Sequence, residues 1–508
     1  MIKTITLENF KAFKKLDNLN IKPITILCGT NSCGKSSILQ SILFLKQTLE
    51  SKNSHQIASL NGRLARFGII DNVIFEKRTN KNVVLKYSFE ISYNTDLVMF
   101  EGKNKRSINW IIDKINRSIK REGIIKERDL NSLNLEYSIS LGKVKESESV
   151  KYENLIVKQF IIKIYVKTKN NEKKLFTEAS INYNSRNKKY TLKYEDNFVD
   201  IISRSVNRDT NNLKEPKYIE VDFSNLFPTF FNKNESDIID DSKIRTRFAW
   251  MNDALRSIFS TYSYIGPLRE EPARRYIYED EVIEIGNEGE NAAYIFSTEN
   301  NKKIQPFYFY DYDDKKDFRK IRNATLKKGV IKWLELMDIT NLNDERKNEI
   351  IYLTLNSNSS KKTNVNIADV GFGVSQIFPI IVEGLRMNVG NTLLLEQPEI
   401  HLHPKLQMQM ADYFISLALS GKNVIVETHS DHIINRLIRR IVEDNSHNLK
   451  DLVEIYFIES SKEGSTVKPI EIDETRGIRN WPNGFFDQVA EEQKNTILAG
   501  IKKRKNNQ

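Results

Sequence analysis

Two cysteines in 508 residues leave no disulfide framework to staple the fold, and both, Cys28 and Cys33, fall in or beside one glycine-rich loop. Reduced thiols are the expectation. Long apolar runs are missing as well. The longest uncharged stretches, such as Val374 to Val382, fall far short of the ~20 residues that a bilayer-crossing helix needs, so no membrane span is predicted. The first residues, Met1 to Leu7, alternate apolar and polar like a strand and have no apolar core or small-residue cleavage site, which predicts a cytoplasmic protein. Sustained heptads are absent, so a long coiled-coil arm is not supported. There is no internal repeat and no long low-complexity segment.

What is present is a chain with 39% hydrophobic and 29% charged residues, the balance of a globular protein too long for one continuous core. Two or more subdomains are expected. Lys and Arg total 78 against 67 Asp and Glu, a net charge of +11. Such a field attracts polyanions through counterion release, and the chain's general richness in Lys, Asn and Ile explains it equally. The basic amphipathic stretch Ile108 to Arg121, flanked by Gly102 to Arg106 and Arg128, allows the same two readings: a nucleic-acid contact or a solvated helix face.

Two motif-bearing runs lie near residues 24–75 and 365–430, separated by a long middle. In the first, Pro23 to Cys28 is a short apolar strand, and Ser36 to Thr48 has helical apolar spacing. The second alternates strands at Thr392 to Leu395, Asn423 to Glu427 and Val453 to Glu459 with helices at Pro404 to Leu419 and Asp431 to Glu443. Strand and helix in alternation predict a mostly parallel sheet covered on both faces. The middle reads as strands at Asn82 to Tyr93, Leu135 to Leu141, Leu155 to Lys167, Ala179 to Tyr183 and Lys189 to Tyr194, for which antiparallel pairing is natural. Lys502 to Gln508 is expected to fray.

Gly29-Thr-Asn-Ser-Cys-Gly34-Lys35-Ser36 fits GxxxxGK[ST] between a strand and a helix. Backbone N–H groups in such a loop cradle phosphate, the lysine neutralises the terminal phosphates, and the serine hydroxyl ligates Mg²⁺. An acidic partner is due at the end of a buried strand, and Asn391-Thr-Leu-Leu-Leu-Glu396-Gln397-Pro398-Glu399 supplies it. Asn423-Val-Ile-Val-Glu427-Thr428-His429-Ser430 ends another strand on a histidine, which by itself also suits a plain strand terminus. Asp369-Val-Gly371-Phe-Gly373-Val-Ser375-Gln376 precedes an apolar helix. It offers N–H groups and a hydroxyl to a phosphate, or simply caps that helix.

With these motifs in this order, after Leu7-Glu-Asn-Phe10-Lys11, the chain resembles the ABC-type ATPases grouped with SMC, RecF and OLD-like proteins. The implied fold class is α/β, an ABC-type P-loop head with split halves at residues 1–80 and 346–475. A β-rich and helical insertion would fill 81–345, and a docking segment and tail 476–508. The resemblance implies that ATP is sandwiched between Gly29, Asn31, Ser32, Gly34, Lys35, Ser36 and Ser37 of one head and the signature-like Gly373, Ser375 and Gln376 of another. It implies a homodimer or higher oligomer, Mg²⁺ on Ser36 and Glu396, and catalytic roles for Gln397, Glu399 and the switch histidine His429. Leu60 to Phe75, Tyr264-Ile-Gly-Pro-Leu-Arg269, Gly286 to Glu290, Glu396 to Pro404 and Trp481 to Asp487 further resemble bacterial phage-defence ATPases encoded beside nucleases or other effectors, the Septu-type partners included. Gly266 and Pro267 also suit a plain turn, and Trp481, Phe485 and Phe486 suit docking of the tail.

Two departures shape the expected mechanism. Where an ABC head has Asp then Glu at its strand end, this chain has Glu396 then Gln397, and no Q-loop glutamine can be assigned. The 79 residues after His429 lack the acidic pattern of the Toprim nuclease of OLD enzymes, so a nuclease is expected on a separate protein. The reading is a slow ATPase acting as sensor or scaffold for such an effector in antiphage defence. A RecF- or SMC-like ATPase that clamps DNA is the alternative. A transporter subunit is disfavoured by the large insertion.

Overall fold

The computed structural model describes residues 1–92, 130–143, 155–196, 213–230, 241–277, 284–480 and 488–506, apart from 54, 79, 171, 315, 358, 359 and 371. The basic stretch 108–121 and the Trp481–Asp487 segment lie outside the described residues, as does Gly371.

The chain opens with β1 (Ile2–Phe10), β2 (Phe13–Asn20) and β3 (Ile24–Gly29), then α1 (Lys35–Leu49). Next come β4 (Val83–Ser92), β5 (Leu130–Lys143), β6 (Leu155–Thr168), β7 (Lys173–Asn184), β8 (Lys189–Asp196) and β9 (Leu213–Ile219). These pair with the first two strands into one antiparallel sheet of order β2-β1-β4-β5-β6-β7-β8-β9. The period-two side-chain rule places its apolar side chains on one face. Along β6, Leu155 and Val157 are buried, the phase then slips by one residue, and Phe160, Ile162, Ile164 and Val166 follow. The slip falls where the β5–β6 register shifts between Ser140 and Leu141, so a bulge keeps both halves of the strand facing the core.

Elements further along include α2 (Asp241–Phe259), β10 (Tyr262–Ile265), α3 (Phe372–Arg386), β11 (Thr392–Glu396), α4 (Pro404–Leu419), β12 (Asn423–Glu427), α5 (Asp431–Glu443), β13 (Val453–Ser461), β14 (Gly464–Pro469) and α6 (Gln488–Asn506). A six-stranded sheet runs β10-β11-β12-β3-β13-β14, parallel throughout except for the last pair. N- and C-terminal halves therefore share one sheet, with β3 between β12 and β13. Strand β10 comes from the long middle of the sequence and becomes the edge beside β11.

Alternate residues of β3 enter different cores. Leu27 joins the antiparallel sheet, α1 and α2. Ile24, Ile26 and Cys28 join the α3, α4 and α5 side around Trp333 and Tyr413. Each such leucine or isoleucine stabilises the fold by about 1.5–3 kcal/mol on full burial. Two buried charges finish this layer. The Lys422 ammonium donates to the Gly384 and Leu385 carbonyls at 2.8 and 2.9 Å, near the end of α3. Asp412 accepts from Arg440 and Tyr312, both at 2.7 Å, tying α4 to α5. Helix α6 reaches Asn506, so the tail expected to fray is helical nearly to its end. Lys and Arg are good helix formers whose charges do not oppose a solvated helix.

Candidate active site

Parallel strands deliver their C-terminal ends to one edge of the sheet, where phosphate and metal chemistry sits in open α/β folds. Here β11, β12 and β3 lie side by side, so Glu396, Glu427 and the Gly29 loop emerge together. Gly29 has φ of +143°, and a Cβ there would meet the Ile458 carbonyl oxygen at 1.9 Å. Gly34, with φ of +96°, precedes α1, and its Cβ would meet the Ala12 side chain at 2.6 Å. Only glycine fits either place without rearrangement. Asn31 and Ser32 are exposed on the loop, Ser37 is buried and Ser36 half-buried. The buried Lys35 ammonium donates to the Thr30 carbonyl at 2.6 Å and the Gly29 carbonyl at 3.1 Å.

Across the loop stand the carboxylates. Ser36 Oγ donates to Glu427 Oε1 at 2.9 Å, which makes Glu427 the acid that touches the loop serine. Burial, with Glu396 beside it, pushes the Glu427 carboxyl up to about 7. Glu396 accepts from the Tyr264 hydroxyl at 3.0 Å. Burial raises its carboxyl above the usual range, while Tyr264, Lys11 and Arg269 oppose the rise. Gln397 follows with φ of +45°, its N–H donating to the Glu427 carbonyl at 2.7 Å. The turn is pinned from the other side by the buried Arg269, whose guanidinium donates to the carbonyls of Glu396 (2.7 Å) and Gln397 (3.0 Å).

Glu399 joins the two strand-end loops. Its Oε2 accepts from Thr428 Oγ1 at 2.8 Å and its Oε1 from the His429 N–H at 2.6 Å. Burial raises its carboxyl too, against those hydrogen bonds. His429 is half-buried, and burial together with the Lys35 charge lowers its pKa. Ser430 then caps α5, accepting from the Ile433 N–H at 3.1 Å. Lys35, Ser36, Glu396, Gln397, Glu399 and His429 thus form one constellation. The Gly373, Ser375 and Gln376 segment starts α3, with a Cβ at Gly373 lying 3.7 Å from the His401 carbonyl oxygen. Ser375 and Gln376 are buried.

Three members of the network were not singled out for chemistry in the sequence. Glu427 ends an otherwise uncharged buried strand, a visible signal because an acid at that place must be compensated. Tyr264 and Arg269 appeared only within a motif, and nothing local to that motif says that it reaches Glu396, over 120 residues away. Because Arg269 satisfies two carbonyls, Arg269→Ala is expected to lower unfolding stability by roughly 2–4 kcal/mol, with Arg269→Lys intermediate. Urea denaturation checks this, and an unchanged midpoint in Arg269→Ala would show the clamp to be dispensable.

The model of the AAA ATPase domain family matches residues 1–434. A second model, that of a protein of unknown function, DUF3696, matches residues 450–494. No curated protein matches. Solved structures that align along the chain include an SMC head domain from Thermotoga maritima, at 10% identity over 93% of this chain and 99% of that one, with a TM-score of 0.33. Another is an SMC head bound to the C-terminal winged-helix domain of ScpA, at 11% identity, 93% and 98% coverage and a TM-score of 0.39. A third is an SMC head with an extended coiled coil bound to the C-terminal domain of ScpA derived from Pyrococcus furiosus, at 10% identity, 99% coverage of each and a TM-score of 0.33.

Proposed function

Since this chain belongs to the AAA ATPase domain family, a family of P-loop ATPases, we propose that it is a slow ABC-type ATPase that assembles around ATP and gates a separate effector. The observation that carries this reading is the convergence of Lys35, Ser36, Glu396 and His429 at one sheet edge. N–H groups between Gly29 and Ser37 would cradle the phosphates, and Lys35 would exchange its loop carbonyls for phosphate oxygens. Ser36 and Glu396 suit Mg²⁺, which when bound neutralises phosphate charge and aligns the terminal phosphate. Gln397 would orient the attacking water beside His429.

Gly373, Ser375 and Gln376 would serve the ATP held by a second copy, which makes the assembly a homodimer or a higher oligomer of such pairs. With ATP and Mg²⁺, mass photometry is expected to shift wild type toward dimer or larger particles. Ser375→Arg should bind ATP and stay unassembled, because a long charged side chain would occupy the phosphate position. A variant that binds ATP and assembles like wild type would refute the sandwich.

Support for an effector-gating role in antiphage defence comes from the resemblance carried by Tyr264 to Arg269, Gly286 to Glu290 and Glu396 to Pro404. In that reading the effector is a separate protein, a nuclease in the first instance. A nuclease gene next to this one is the expected neighbourhood. Recombination or replication genes there would instead favour a clamp on DNA.

A further inference from the structure

Glu427 holds a buried carboxylate oxygen with no hydrogen-bond partner among the described residues. The residue is 3% exposed. Its Oε1 takes the Ser36 hydroxyl, while Oε2 has no hydrogen bond among the described residues. A desolvated carboxylate oxygen left unpaired is costly, and in native proteins it points to a group that belongs beside it. Neighbouring cations do not fill that role. Lys35 donates to the Gly29 and Thr30 carbonyls, and Arg269 donates to those of Glu396 and Gln397. Register also places Glu396 directly across from Glu427 on the adjacent strand, and the charge of Glu396 acts on it. Two carboxylates side by side at low exposure repel, and either a proton or a cation between them relieves the repulsion.

We propose that Glu427 is a further metal ligand, which with Glu396 and Ser36 makes an oxygen site that binds a hard divalent cation, Mg²⁺ or Mn²⁺, before any nucleotide arrives. The proposal rests on the nucleotide reading for the roles of Ser36 and Glu396. Its chemistry is that of small divalent ions: all-oxygen donors, one or two carboxylates, and remaining positions for water or phosphate. The Ser36 hydroxyl fits, because donating its proton to Glu427 leaves its lone pairs for the ion. No group of three or more His, Cys, Asp or Glu side chains suited to a metal occurs among the described residues, so the hydroxyl and water must complete this one. A P-loop site with a single strand-end carboxylate takes its cation with the nucleotide phosphates. A second carboxylate supplies the charge that phosphate would otherwise bring, so the order of binding changes: the cation first, ATP onto it.

The test is titration of the full chain with Mn²⁺ in the absence of nucleotide, free Mn²⁺ being read by electron paramagnetic resonance. Wild type is expected to bind one ion per chain, displaced by excess Mg²⁺. Glu427→Gln keeps the size and an acceptor for Ser36 but loses the charge. It should bind at least about tenfold more weakly, as loss of an inner ligand costs no less than loss of an outer one. Glu427→Asp should recover part of the affinity, and thermal melting checks that each variant folds. If Glu427→Gln is too unstable to titrate, the Asp variant and wild type decide. A wild type that binds no Mn²⁺ without nucleotide, or a Glu427→Gln or Glu427→Asp protein that binds it like wild type, overturns the proposal. ATP-dependent assembly is measured separately, so a protein that assembles on ATP yet ignores free Mn²⁺ refutes the cation site alone, and one that binds Mn²⁺ but never ATP refutes the nucleotide reading.

Discussion

Lys35→Ala is expected to weaken ATP binding by at least about 100-fold, which corresponds to roughly 3 kcal/mol, the size of two charge-assisted hydrogen bonds less those given up in the loop. The ammonium is buried and held between the Thr30 and Gly29 carbonyls, on a loop whose course is set by glycines at both ends. A truncation there removes the cation and its two hydrogen bonds to loop carbonyls, while the glycines that set the loop's course remain. Isothermal titration measures the loss directly. Thermal melting gives a second view: at a ligand concentration of ~100 Kd, binding to the folded state contributes about 2.7 kcal/mol. Wild type should therefore melt a few degrees higher with ATP and the variant should not move. An equal rise in both proteins would place the nucleotide somewhere other than this loop.

Legibility in the sequence followed the range over which each feature is determined. Helices α4 and α5 have the bounds that their apolar spacing and flanking residues indicate, Pro404 to Leu419 and Asp431 to Glu443. The P-loop is a local object too, because Gly29, Gly34, Lys35 and Ser36 carry their conformation and chemistry within eight residues. Strand β10 is different. Four residues, Tyr-Ser-Tyr-Ile, have no period to read, and their place beside β11 depends on a partner more than 120 residues away. For Glu427 the acid at the end of a buried strand is visible, but its partners are not. Only the position of β12 between β3 and β11 sets it against both Ser36 and Glu396. Arg269 shows the limit of motif reading: a Gly-Pro turn explains its neighbourhood, while its function as a clamp on two carbonyls exists only in three dimensions.

Steady-state turnover by wild type is expected to be slow, below about 1 s⁻¹ against an enzyme median near 10 s⁻¹, with the assembled state held by bound ATP. In the proposed site Gln397 would take the place from which an ABC head's carboxylate accepts the proton of the attacking water. Its backbone is fixed on both sides, the N–H by the Glu427 carbonyl and the carbonyl by Arg269, in a left-handed conformation unusual for glutamine. The amide is therefore presented at a set point where it orients water but accepts no proton. Gln397→Glu restores a base on the same scaffold, and is expected to raise turnover by about 100-fold, the low end of general-base effects, and to shorten the life of the assembled particle. Glu399 is the rival. Both of its oxygens accept hydrogen bonds, from the Thr428 hydroxyl and the His429 N–H, so the role proposed for it is to position the histidine loop. Glu399→Gln must turn an N–H₂ group toward one of those donors, and should lower turnover by displacing His429 while leaving ATP binding intact. The pH profile separates the two roles. A catalytic Glu399, its carboxyl raised by burial, would give wild type a rate that climbs as that carboxyl loses its proton, and the climb would vanish in Glu399→Gln. A positioning Glu399 lowers the whole curve and leaves its shape. Fast wild-type hydrolysis that collapses in Glu399→Gln with loss of the rising limb would make Glu399 the catalytic carboxylate, and the chain a turning-over ATPase in place of an ATP-held switch.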